Sequence, residues 1–179
     1  MVPEEIIKKY YKEGSELYNI LFTHSLAVAD RALEIANMHP ELNFNKAFLY
    51  EAAMVHDIGI FLTDAPQIHC FGKFRYICHG YLGAEIMRKE GFEKHAPVCE
   101  RHTGSGLTKE DIIQNQLPLP HRDMLPVSPE EKLICFADKF YSKSHLERVK
   151  TVEQVRKSLS KYGDESVERF NEMLKFFLG

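Results

Sequence analysis

The sequence predicts an all-α fold in a single domain, and three observations carry the expectation. Apolar residues recur at spacings of three and four along almost the whole chain. No run of alternating β-branched residues bounded by turn signals interrupts them. With 179 residues and 44% hydrophobic content, the chain can bury one real core but is short for two.

Taken in order, Pro3 suits a first helical turn, opening a short helix to about Lys12 that Gly14 breaks. A long second helix runs from near Ser15 to about His39, with His24 on its apolar stripe one turn beyond Ile20 and Leu21. Pro40 to Asn43 connect to a third helix over Ala47 to Gly59, apolar nearly all round and therefore central. Phe61 to Cys78, the least periodic stretch, reads as a loop or lid. Helical spacing resumes at His79 and stops at Gly91, and another helix from Glu93 carries Val98 and His102. Thr108 and Asp111 cap a short helix, after which the prolines of Leu117 to Pro126 enforce a stiff connection that can lie over a site. Ser128-Pro129-Glu130-Glu131 is a strong helix start, and Ile134, Asp138 and Tyr141 share a face of that helix. Two amphipathic helices, about Val152 to Tyr162 and Asp164 to Leu178, end the chain without evident chemistry.

Composition narrows the function. A formal charge of -3 and a pI near 6.3 lack the basic excess of a nucleic-acid duplex binder. The cysteines, Cys70, Cys78, Cys99 and Cys135, form no C-x-x-C pair and read as reduced core thiols. No stretch approaches the roughly 18 apolar residues of a membrane span, and the N-terminus lacks a signal pattern, so a cytoplasmic location is expected.

The most informative dipeptide is His56-Asp57, near the end of the central apolar helix, where an ionised carboxylate is costly to bury without a cation. A divalent metal meets that need, and imidazole with carboxylate suits zinc, iron, manganese and similar ions. His24 and Asp138, both on inward faces, can converge on the same ion; His79 and His102 can take a second one with Asp57 between. One inward histidine alone is ordinarily a satisfied core residue, so the weight lies on the joint pattern.

That ordered set, His24, His56-Asp57, His79, His102 and Asp138, resembles the HD superfamily of metal-dependent phosphohydrolases in its bimetallic form. His56-Asp57-Ile58-Gly59 matches the HD-x-G signature, and Ala137-Asp138-Lys139 the setting of the last aspartate. The resemblance spans roughly residues 15 to 145, leaving the C-terminal helices, about 152 to 178, outside the metal-binding core. It implies an all-helical HD core and two divalent ions, drawn from iron, manganese, cobalt, nickel, zinc or magnesium. It further implies that His24, His56, Asp57 and Asp138 hold one ion, and Asp57, His79 and His102 the other. The stretches from His79 through Arg101-His102-Thr103-Gly104 to Asp138-Lys139 are similar to small stand-alone members, among which are symmetrical diadenosine tetraphosphate hydrolases. The implied activity is hydrolysis of a small phosphate ester or anhydride, a nucleotide included, by a metal-activated water. Two other classes fit the same ligands: a di-iron oxygenase and a non-catalytic nucleotide-sensing module. No membrane or duplex partner is expected; a homodimer is compatible with the reading.

Around the ligands, Lys139 is a candidate for phosphate contact and transition-state charge, beside Asp57 as a catalytic group that orients the water. Arg101, Arg75, Arg122 and Lys143 are weaker substrate candidates, as are His69 and His121 in loops that can overhang the site. Phe71, Phe74 and Tyr76 suit a stacked base but more often belong to a core. His39 and His145 suit helix C-termini, His95 the surface, and Gly59 a helix stop.

Overall fold

The computed structural model describes residues 1–179 and is built almost wholly of helices. In chain order they are α1 (Pro3–Tyr10), α2 (Glu16–Met38), α3 (Lys46–Val55), α4 (His79–Lys89), α5 (Ala96–Arg101), α6 (Lys109–Gln114), α7 (Pro129–Asp138), α8 (Val152–Leu159) and α9 (Asp164–Leu178). The start signals act as the sequence leads one to expect. Ser15 caps α2, and Ser128 with Glu131 and Thr108 with Asp111 form reciprocal capping boxes at α7 and α6.

A core of 38 buried apolar residues runs from Ile6 in α1 to Phe177 in α9. At its centre α3 lies against both α2 and α7. Small residues make that approach possible: Ala29, Ala32 and Ala36 on α2, and Ala52 and Ala53 on α3, are all buried. The aromatic side of the core joins α7 to α9 through Phe136, whose ring stacks on Phe170 at 5.5 Å. No helix is long and apolar enough to cross a membrane. All four cysteines are free and buried, as expected of core thiols.

The stretch Phe61 to Cys78 is not a plain loop. It holds a three-stranded sheet in the order β2-β1-β3, with β1 at Thr63–Ala65, β2 at Cys70–Phe71 and β3 at Phe74–Arg75. β1 runs antiparallel to β2, pairing Asp64 with Phe71, and parallel to β3, pairing Thr63 with Phe74. Strands of two or three residues cannot display an alternating pattern, which is why the sequence hides them. Phe71 and Phe74 stay exposed at 75% and 49%, against the expectation of a core place; Tyr76 alone turns inward.

Two further expectations fail for physical reasons. The third helix stops at Val55, so His56 and Asp57 sit in the turn after it. Gly59 is then not a helix stop but a point of close approach: a Cβ there would stand 2.3 Å from the His79 carbonyl oxygen and 2.5 Å from the Gly83 nitrogen. Gly80 does the same between α4 and α5, 2.5 Å from the Cys99 carbonyl oxygen. The two missing side chains thus let the start of α4 press onto the chain just after His56–Asp57 and onto the C-terminal half of α5. The stiff connection 117–126 does not cover the site; its Leu119 and Met124 pack with Leu107, Ile112 and Cys78 in a separate small cluster.

Candidate metal centre

Five elements bring the six residues to one point. α2 supplies His24, the turn after α3 supplies His56 and Asp57, α4 begins with His79, His102 caps the C-terminus of α5 and α7 ends at Asp138. Each is at most 8% exposed, and His56 and Asp57 are fully buried. His24, His56, Asp57 and Asp138 offer donor atoms within 4.8 Å of one another, and so do Asp57, His79 and His102.

Asp57 divides its carboxylate between the two groups. Oδ2 lies 3.1 Å from His24 Nε2 and 3.0 Å from His56 Nε2, whereas Oδ1 lies 3.3 Å from both His79 Nε2 and His102 Nε2. Asp138 Oδ1 completes the first group, 2.9 Å from His24 Nε2 and 3.4 Å from His56 Nε2.

The imidazoles are set to receive rather than donate on their inner side. His56, His79 and His102 each place Nδ1 against the carbonyl three residues earlier, of Ala53, Tyr76 and Cys99, at 2.6, 2.7 and 2.7 Å. A carbonyl only accepts, so Nδ1 carries the proton and donates it, which leaves a lone pair on the Nε2 of each ring in its neutral form. Burial then keeps His79 and His102 neutral, His79 down to about 3 despite the pull of Asp57. Their bare Nε2 atoms nevertheless face each other at 3.0 Å. Two lone pairs that close repel unless a cation lies between them, and two nitrogens each bound at about 2.1 Å to one ion stand about 3 Å apart. His56 Nε2 and both Asp57 oxygens are buried without a hydrogen bond, which points the same way. The donors fit a metal centre of mixed nitrogen and oxygen ligands.

Without an ion, protein cations stand in. Burial opposes charging His56, but the adjacent Asp57 and Asp138 outweigh it and hold its pKa up at about 9. Burial also works against Asp57 and Asp138, yet His56 and Lys143 keep the first, and Lys139 with His24 the second, well below the usual carboxylate range. Lys143 Nζ lies 2.5 Å from Asp57 Oδ2, and Lys139 Nζ 2.7 Å from Asp138 Oδ2.

A cavity of about 290 Å³ opens onto this centre, with His79, His102 and Asp138 in its floor. Lys139, Lys143, Lys150 and Lys161 line it, with Tyr76, Tyr141 and Tyr162, and only six of its 19 lining residues are hydrophobic, a lining that suits a polar molecule. Lys139 reaches it as expected, but its ammonium is committed to Asp138 and, at 2.8 Å, to the His102 carbonyl. It therefore orients the two ligand residues more than it can follow a substrate.

The other substrate candidates are elsewhere. Arg101 pairs with Glu131 at 2.9 Å, Arg122 pairs with Glu100, and Arg75, His69 and His121 are exposed outside the cavity. Their sequence neighbourhoods gave no sign of these acidic partners 30 and 22 residues away. His95 is buried rather than superficial, between Phe48 and Phe92 with Nε2 3.1 Å from Glu51. His145 lies in the irregular segment after α7, not at a helix end. Lys143, ranked low in the sequence, is the group nearest the shared carboxylate, and Lys150 and Lys161 were not singled out at all. Lys143 and Lys150 sit where no periodicity assigns a face, and Lys161 lies at the very end of a predicted helix; the one usable signal is the four-residue spacing of Lys139 and Lys143.

The chain is 40% identical over 116 residues to an uncharacterized protein of Methanocaldococcus jannaschii, an alignment covering 64% of this chain and 62% of that protein. It is 29% identical over 133 residues to a tRNA (cytidine(56)-2'-O)-methyltransferase of Picrophilus torridus, over 74% of this chain and 34% of that protein. The chain thus spans less than two thirds of the length of either relative. The HD domain of the phosphodiesterase PgpH from L. monocytogenes shares the fold, with a TM-score of 0.54 and 13% identity over 94% of both chains. None of the three bears the name of a diadenosine tetraphosphate hydrolase, so similarity to those enzymes is not shown. The HD domain model itself matches residues 21–142, a stretch that begins just before His24 and ends just after Asp138, and on that match the chain belongs to the HD domain family.

Proposed function

We propose that this chain is a metal-dependent phosphohydrolase acting on a small phosphate ester or anhydride, nucleotides included. The observation that carries the reading is the divided carboxylate of Asp57, beneath a polar cavity walled by four lysines. His24, His56, Asp57 and Asp138 would hold one divalent ion, and His79, His102 and Asp57 another. Bound there, the ions supply Lewis acidity, lowering the pKa of a coordinated water from about 16 to about 7 and offsetting charge on phosphoryl oxygens.

The chain's own residues do the rest. The carbonyls of Ala53, Tyr76 and Cys99 lock three imidazoles in the ligand tautomer. Asp57 and Asp138 are already balanced by Lys143 and Lys139, so divalent ions add an excess of positive charge that an anionic substrate satisfies. Lys143, once exchanged off Asp57, has a flexible stem that lets its ammonium follow a phosphoryl oxygen, while the Tyr76 ring 5.9 Å away guides it. No side-chain nucleophile is required.

The test is phosphate release from nucleotides, dinucleoside polyphosphates and sugar phosphates, with manganese or cobalt added, before and after chelation. The reading expects oxygen-independent release that chelation abolishes and metal restores. Turnover requiring iron and dioxygen without phosphate release would support an oxygenase, and full activity after rigorous metal removal would sink both.

A further inference from the structure

The cavity has a second wall that the metal centre does not use. Val155, Ser158 and Leu159 of α8, Lys161 and Tyr162 of the turn after it, and Lys150 just before it form that wall. All of these lie beyond residue 142, outside the matched HD stretch. The reacting floor thus comes from the family's common core, and this wall from the chain's C-terminal helices.

The wall is positively charged without compensation. No carboxylate lies within 4.0 Å of Lys150 or Lys161, whereas Lys139 and Lys143 are each paired. Lys161 has only the Tyr162 ring under its ammonium, 4.9 Å from the centroid, which leaves its charge intact. Lys150 is half-buried, and its segment is pinned by its backbone N–H donating to the Phe140 carbonyl at 2.8 Å. Burial pulls its pKa down, Asp138 works against that pull, and the cations of Lys139, Lys143 and Lys161 add to it. Two ammonium groups without an ion-pair partner, Lys150 half-buried and Lys161 exposed, give this side of the cavity a positive potential that favours an anion. With few apolar walls and a volume at the small end of ligand sites, the cavity suits a compact, multiply charged molecule.

We propose that Lys150 and Lys161 form a second anion subsite, so that the substrate carries a further phosphate besides the one attacked, as in a bisphosphate or a condensed phosphate. The identity of the first phosphate rests on the phosphohydrolase reading; the subsite does not.

The probe is inorganic pyrophosphate, titrated calorimetrically into metal-free protein with EDTA present, so that only the lysines bind it. The double variant Lys150→Gln/Lys161→Gln should weaken binding by at least about 10-fold, while Lys94→Gln, an exposed lysine outside the cavity, leaves it unchanged. In manganese-loaded protein the same double variant should raise KM for a bisphosphorylated substrate by about 10-fold more than it raises KM for p-nitrophenyl phosphate. Wild-type affinity for pyrophosphate in the double variant would overturn the subsite. Weakened binding in a protein that releases no phosphate from any substrate would uphold the subsite and overturn the hydrolase reading.

Discussion

The ammonium of Lys143 stands 2.5 Å from Oδ2 of Asp57, on the oxygen that also faces His24 and His56. A lysine so placed competes with any ion for that oxygen. Lys143→Met should therefore destabilise the metal-free protein, by about 3 kcal/mol for a buried carboxylate that loses its cation, and should tighten manganese binding. Urea unfolding with EDTA and with saturating manganese reads both effects. Equal losses in the two conditions would mean that Lys143 only fills space.

The pH dependence of the metal-free protein follows from two histidines with opposite shifts. His56 titrates near 9 when folded and near its ordinary 6.5 when unfolded, so its stabilising contribution is full below 6.5 and is lost as pH rises through 9. His79 stays neutral down to about 3, so its contribution is full above 6.5 and is lost as pH falls from 6.5 towards 3. Stability without metal should peak near pH 6.5 in a series of denaturant midpoints. Because a metal ligand must shed its proton, metal affinity should rise through pH 7 to 9, about tenfold per unit where His56 alone is displaced.

Gly59→Ala tests how the backbone builds the centre. Its Cβ would meet the His79 carbonyl at 2.3 Å, and backbone cannot swing aside as a side chain can. We expect a lower unfolding temperature and a weakened ion at His79 and His102, with the ion at His24 and Asp138 less affected. Wild-type affinity at both positions would show that α4 need not press on the turn.

The two ligand groups are separable in principle. His102→Gln should lower bound manganese from two ions per chain to one, and His24→Gln should do the same by emptying the other group. Metal analysis after equilibrium dialysis gives the count. Loss of both ions from either variant would mean that the groups act only as a unit.

Much of this centre was legible because helices write their faces into the sequence. His24 falls on the apolar stripe of α2, and Asp138 ends a helix whose capping box announces it. The buried dipeptide His56-Asp57 demanded a cation on charge grounds alone. What stayed hidden lies where period gives no guidance or where the partner is remote. The strands around Thr63 are too short to alternate, and Lys143 and Lys150 follow α7 in irregular chain. His95 gains its burial from Phe48 and Glu51, more than 40 residues earlier. The C-terminal helices carry an amphipathic pattern that explains their packing but not that the turn between them faces the cavity.

The division of Asp57 between two sets of histidines is most directly tested by electron paramagnetic resonance of manganese-loaded protein. Two ions bridged by one carboxylate should give an exchange-coupled spectrum at two manganese per chain, and Asp57→Asn should abolish the coupling and lower the count. An uncoupled single-ion spectrum in the wild type, or unchanged coupling in Asp57→Asn, would contradict the shared centre.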